Sequence, residues 1–151
     1  MKKQIIYFSF LVMLIDQISK LIITDIIILN DNIQVIKNFF YLTYIQNEGA
    51  AWNLLYGNRW FLVLFSLFAL YIVIKYFLLD INIVLKEKIG YILLIGGILG
   101  NLVDRVMYGY VIDWLDFYIF GYNYPVFNIA DASIVIGSIL VIWGLLKGSK
   151  K

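Results

Sequence analysis

Residues 89 to 107 read Ile89-Gly90-Tyr91-Ile92-Leu93-Leu94-Ile95-Gly96-Gly97-Ile98-Leu99-Gly100-Asn101-Leu102-Val103-Asp104-Arg105-Val106-Met107. The run carries no charge as far as Val103. A helix needs about 20 apolar residues to cross a bilayer, so this one reaches across and leaves Asp104-Arg105 in its last turn, at an interface. Gly96 and Gly100 make a small-xxx-small face for close helix packing. Asn101, Asp104 and Arg105 stand at i, i+3 and i+4, one polar cluster on one helix face. Packing glycines account for the first half of the run. The cluster reads as a structural polar network bordering a site, because charge at membrane depth is expensive.

Three further runs have similar length, giving spans at about 5–23, 60–79, 89–107 and 129–146. The chain has 151 residues, 63% hydrophobic and 15% charged, with a mean hydropathy of +0.88. A soluble domain would be roughly a quarter charged. Length allows one domain, 1–151, embedded in a membrane. The start, Met1-Lys2-Lys3 before an apolar run, imitates a signal peptide. No small-x-small site follows and apolarity resumes beyond Asp16-Gln17, so an uncleaved first span is expected.

Placing both termini in the cytoplasm puts Lys2, Lys3, Lys75, Lys86, Lys88, Lys147, Lys150 and Lys151 inside. Only Lys20, Lys37, Arg59 and Arg105 then lie outside, as the positive-inside rule asks. The acids divide the other way, with Asp80 and Glu87 inside and the other eight outside. The segments 25–58 and 108–128 are then extracytoplasmic. Residues 33 to 45 are rich in β-branched and aromatic side chains and read as strand-like. Asn47-Glu48-Gly49 reads as a turn. Residues 108–128 are rich in Tyr, Phe and Trp, which suit the headgroup layer. An apolar platform on the outer leaflet is expected.

Zero Cys and zero His exclude thiolate chemistry and remove the commonest zinc ligand and the usual partner of a catalytic Ser. A net charge of +2 without internal basic runs gives no reason to expect nucleic acid. Carboxylates remain. Asp16 and Lys20 share a helix face and read as a pair that neutralises itself, with Lys20 reaching outward. Asn128-Ile129-Ala130-Asp131 opens the fourth span, with Asn128 as an N-cap and Asp131 placed as in a capping box. A helix N-terminus also favours negative charge, so Asp131 suits the ionised member of an acid pair. Asp113 sits among bulky apolar neighbours, where desolvation favours the neutral acid. Asp116, three residues on, competes for that role.

Two carboxylates in contrasting environments can share a proton and activate water without a metal, cofactor or covalent intermediate. A proton carrier is disfavoured, because the second span carries only Ser66 before Lys75. A Ser-Lys protease is disfavoured, because Ser19 and Lys20 diverge on a helix and Ser133 and Ser138 have no nearby Lys. A non-enzymatic scaffold would use the same clusters only to hold helices together.

Five blocks, in order, resemble the bacterial lipoprotein signal peptidase (signal peptidase II) family. They are Asp16-Gln17-x-x-Lys20, Asn47-x-Gly49-Ala50-Ala51, Gly97-x-x-Gly100-Asn101-x-x-Asp104-Arg105, Gly109-x-Val111-x-Asp113 and Phe127-Asn128-x-Ala130-Asp131. The resemblance implies a membrane α-helical fold of four transmembrane helices, with a small extracytoplasmic β-rich cradle from 25–58. It implies that Asp113 and Asp131 are catalytic and Asp116 a bystander. Asp16, Lys20, Asn47, Gly49, Gly97, Asn101, Asp104, Arg105, Asn128 and Ala130 would support the site or bind substrate. The implied substrates are diacylglyceryl-modified prolipoproteins, cut just before the lipidated Cys at the outer surface of the bacterial plasma membrane. Inhibition by globomycin-type cyclic peptides, contact with membrane lipids and a monomeric state are expected. Trp52-Asn53 and Trp114 depart from the family's usual Phe-Gly and Phe and bear on peptide preference.

Overall fold

The structure is a computed structural model that describes residues 2–49, 54–79 and 83–148. Ala50, Ala51, Trp52, Asn53, Asp80, Lys150 and Lys151, all used in the sequence reading, lie outside the described residues. Among the described residues, four helices are long and apolar enough to cross a membrane: α1 (Lys2–Ile26), α2 (Arg59–Leu79), α3 (Leu85–Met107) and α4 (Ile129–Gly148). Each overlaps one expected span. Three of them present most of their apolar surface outward, as helices solvated by lipid do.

The exception is α3, half of whose apolar window is buried and which packs against all three other helices. Its glycines allow the close approach. A Cβ on Gly96 would lie 2.6 Å from the Ser9 carbonyl oxygen of α1. On Gly97 it would lie 2.5 Å from the Ala130 carbonyl oxygen of α4. On Gly100 it would lie 2.6 Å from the Asp16 carboxylate. Gly96 and Gly100, the small-residue face expected from the sequence, both meet α1, and Gly97 opens a second approach, to α4. α3 begins four residues ahead of its expected start because the Glu87 side chain accepts the Val84 N–H at 2.9 Å, extending the helix by a capping interaction.

At the end of the bundle where α1 and α3 finish and α4 begins, a four-stranded antiparallel sheet runs β1 (Asn32–Ile36), β2 (Phe40–Asn47), β3 (Val111–Ile119), β4 (Tyr122–Asn123). The strand-like stretch from 33 to 45 is a hairpin, broken at Lys37–Phe39 where Asn38 takes φ 56°. Asn tolerates that left-handed conformation better than most residues. The larger difference lies in residues 108–128. The strand expected from the sequence stops at residue 45, whereas β3 from this segment pairs along β2 and completes the sheet. Ile23 of α1 and Ile27, the residue just past its end, pack with Tyr44 and Ile112 into the core that seats this sheet on the helices. A second core, at the opposite end, gathers Ile5, Phe77, Ile83, Tyr91 and Ile95.

Candidate active site

Five elements deliver polar side chains to one place. From α1 comes Lys20, which is 1% exposed and does not reach outward as the sequence suggested. Its ammonium lies 2.7 Å from Asp16 Oδ2 and 2.8 Å from Asp104 Oδ2, and donates to Asn101 Oδ1 at 3.0 Å. Burying an ammonium is tolerable only when its donors are met, and here three acceptors meet them. Asp16 uses its other oxygen to accept the Ala130 N–H at 2.9 Å, tying α1 to the first turn of α4. Asp104 also accepts from Gln17 at 2.7 Å and from the Ile112 N–H at 3.1 Å, tying α3 to β3. Asp16 and Asp104 are thus fully engaged in scaffolding.

Asp131 occupies the third position of α4. The Asn128 side-chain oxygen accepts the Asp131 N–H at 2.8 Å, and Asp131 Oδ2 accepts the Asn128 N–H at 3.3 Å. The capping box foreseen from the sequence therefore exists. It uses one carboxylate oxygen only. The other, Oδ1, accepts from the Asn101 amide at 2.7 Å. The cap and the site are built from the same atoms.

Asp113 comes from β3 and is 3% exposed. Its Oδ1 accepts from Asn128 Nδ2 at 2.7 Å, and its Oδ2 from Asn47 Nδ2 at 2.9 Å. Asn47 is itself oriented, because its side-chain oxygen accepts the Gly49 N–H at 2.9 Å. Arg105 in turn donates to the Gly49 carbonyl at 3.3 Å. Burial first, and then the charge of Asp131, push the Asp113 carboxyl up to about 7, against the pull of its amide partners. Near neutral pH, Asp113 can therefore hold a proton.

Asp113 and Asp131 line a single cavity of about 550 Å³. Asn47 and Arg105 reach it too, and its other walls are largely apolar, including Ile45, Val111, Phe127 and Ile134. Asp116 is absent from it. Asp116 is buried against Thr43, whose hydroxyl donates to it at 2.8 Å. Of the residues expected to form or support the site, Gly97 acts through the α3–α4 contact, Ala130 shares that contact and donates its N–H to Asp16, and the rest meet in one hydrogen-bonded network that leaves Asp116 outside.

Sequence reasoning passed over several residues. Gln17 donates to Asp104 and also to the Gly100 carbonyl at 3.1 Å, and its polar side chain inside a span was the available signal. Arg59, the first residue of α2, donates to the carbonyls of Arg105 and Val106 at 2.8 and 2.6 Å. It closes the C-terminal end of α3, whose orphan carbonyls favour a cation. No local pattern announces it. Tyr56 and Tyr124 line the cavity from segments whose sequences look like ordinary loop.

Residues 8–147 match the family model described as Signal peptidase (SPase) II. The chain is similar to the lipoprotein signal peptidase of Staphylococcus aureus strain MRSA252, with 40% identity over 90% of this chain and 83% of that one. The same protein from strain JH9 matches equally. Two solved structures, each a bacterial membrane enzyme studied by the in meso method, are also similar. One has a TM-score of 0.89 at 38% identity, covering 98% of this chain and 90% of the other. The second has a TM-score of 0.85 at 39% identity, covering 96% and 94%.

Proposed function

The chain belongs to the signal peptidase II family of aspartic peptidases, which cleave lipoprotein signal peptides in bacterial membranes, and we propose that Asp113 and Asp131 are its catalytic pair. One observation carries this reading. Two carboxylates from different elements converge on one cavity, each held by amide donors, and Asp113 is raised to about 7 beside the charge of Asp131.

Like charges held close disfavour double ionisation, so the pair carries one proton near neutral pH. The ionised carboxylate takes a proton from water while that water attacks the scissile carbonyl carbon. The protonated carboxyl hydrogen-bonds the carbonyl oxygen and stabilises the tetrahedral intermediate. Collapse breaks the C–N bond. The leaving amine is protonated from the pair, which ends with one proton again. Asn47, Asn101 and Asn128 keep both carboxylates aimed into the cavity. Arg105, which lines the cavity and donates to the Gly49 carbonyl, offers a further guanidinium N–H to a substrate carbonyl.

The apolar walls fit a signal peptide with a lipid-bearing residue. On this reading the substrate is a diacylglyceryl-modified prolipoprotein, cut just N-terminal to the lipidated Cys, and globomycin-type cyclic peptides occupy the same cavity. The single membrane domain works as a monomer among lipids, with both termini cytoplasmic and the site near the outer surface. Lys2 and Lys88 lie at the end of the bundle opposite the site, as that orientation requires.

The test is cleavage of a diacylglyceryl-modified prolipoprotein by purified protein in detergent. Asp113→Asn and Asp131→Asn, which keep shape and remove the titrating acid, should lower the rate by at least about 100-fold. Asp116→Asn should cut like wild type. Normal cleavage by either of the first two variants sinks the assignment of the pair.

A further inference from the structure

The Lys20 ammonium lies outside the cavity, yet its hydrogen bonds lead directly to a catalytic carboxylate. An ammonium can only donate, so the Asn101 oxygen must face it. The Asn101 NH₂ group must then face the other way, and it meets Asp131 Oδ1 at 2.7 Å. Asn128 Nδ2, also a donor, approaches the same Asn101 oxygen at 3.2 Å while making its shorter bond to Asp113. A flipped Asn101 would set NH₂ against the ammonium and oxygen against the carboxylate. The cation also polarises the Asn101 amide and so strengthens its donation.

Lys20 is in turn held by Asp16 from its own helix and by Asp104 from α3. Neither of these acids lines the cavity. The three form a buried charge cluster whose one remaining donor goes to Asn101. The buried ammonium needs a third acceptor, and the group that supplies it is the one whose amide N–H holds Asp131.

Resting on the aspartic peptidase reading above, we propose that Lys20 is a positioning residue that acts through Asn101 to hold Asp131 ionised and aimed at the water. The groups facing the pair are Lys20 and Asp16 from α1, Asp104 and Arg105 from α3, and Tyr56 and Tyr124 from the cavity wall. Of these, Lys20 alone is a cation that reaches Asp131 through a side-chain amide.

The experiment is a double-mutant cycle on cleavage kinetics, with Lys20 and Asn101 as its two corners. Lys20→Met is made together with Asp16→Asn, so that the cluster keeps its net charge, while Asp104 keeps its hydrogen bonds from Gln17 and the Ile112 N–H. That variant should lower kcat by about 10- to 100-fold, the loss of one hydrogen bond to a charged group. KM should change little, because Lys20 does not touch the substrate. The acidic limb of the kcat/KM profile should move to higher pH. Asn101→Ala should show the same two changes, and adding the Lys20 change to it should cost little more.

Additive losses would show that Lys20 does not act through Asn101 and would overturn the proposal. So would a loss in KM alone, or an unmoved acidic limb. If the Lys20 variant does not fold, Asn101→Ala and Lys20→Arg decide. The first should move the limb. The second keeps the charge but misplaces the donor to Asn101, so it should lower kcat and move the limb in the same direction. A wild type that cannot cleave the lipidated prolipoprotein is a different failure, of the peptidase reading itself.

Discussion

At Asp113 the physics is a contest between burial and donors. Two amide N–H groups favour the anion, while desolvation and the neighbouring carboxylate favour the acid and prevail, giving about 7. The direction has a consequence for rate. If the protonated Asp113 polarises the scissile carbonyl, activity is present below this pKa and is lost as pH rises through it. A kcat/KM profile should therefore fall above about pH 7, since that ratio reports the free enzyme. A profile flat from about pH 6 to 9 would remove Asp113 from the role of proton holder. The neighbouring residues alone barely separated Asp113 from Asp116, because both sit amid aromatic and aliphatic side chains. Their partners separate them. Asp113 faces Asn47 and Asn128, and Asp116 faces Thr43, in a strand whose pairing with β2 is irregular between Leu42 and Ile45. The extra residue lies on β2; on β3 the two acids are three apart, an odd spacing that sends them to opposite faces of the sheet.

α3 is the element around which the site is arranged. Its apolar length was plain from the sequence, and so was its polar last turn. The use of its glycines was less plain: Gly97 admits α4, and Gly100 admits both the Asp16 carboxylate and Ala130. Asp131 hangs one residue beyond Ala130, so the α3–α4 distance sets where that carboxylate lies. Gly97→Ala should push α4 outward. The expected cost is about 1–3 kcal/mol of stability, from overpacking against backbone. A matching loss of cleavage should follow while Asp113 stays in place. Thermal unfolding in detergent beside the cleavage assay checks this. An alanine variant as stable and active as wild type would mean the helices can part without moving the site.

For the molecule as a whole, the division of charge predicts the orientation and the geometry gives it a handle. The β3–β4 turn carries Phe120, fully exposed at φ 50°, beside Gly121 at φ 81°. It belongs to the same sheet as Asp113. Lys86 lies in the first turn of α3, at the opposite end of the bundle. The sequence has no Cys, so a single introduced thiol is an unambiguous reporter. Phe120→Cys in intact cells should react with a membrane-impermeant maleimide, and Lys86→Cys should react only after permeabilisation. The reverse pattern would invert the topology and place the cavity on the cytoplasmic side.

The four spans and the gathering of acids near one end were legible in the chain, because hydropathy and charge are properties of neighbouring residues. The cap at Asn128-Asp131 was legible for the same reason, its atoms being three residues apart. What no local pattern could carry is the set of bonds between distant segments. Asp16 meets the Ala130 N–H across 114 residues, and Asn47 meets Asp113 across 66. The inward turn of Lys20, the recruitment of β3 into the sheet and the separation of Asp113 from Asp116 all depend on such bonds. Each is settled by the need to satisfy buried charges and strand edges, and that need arises only once the helices have packed.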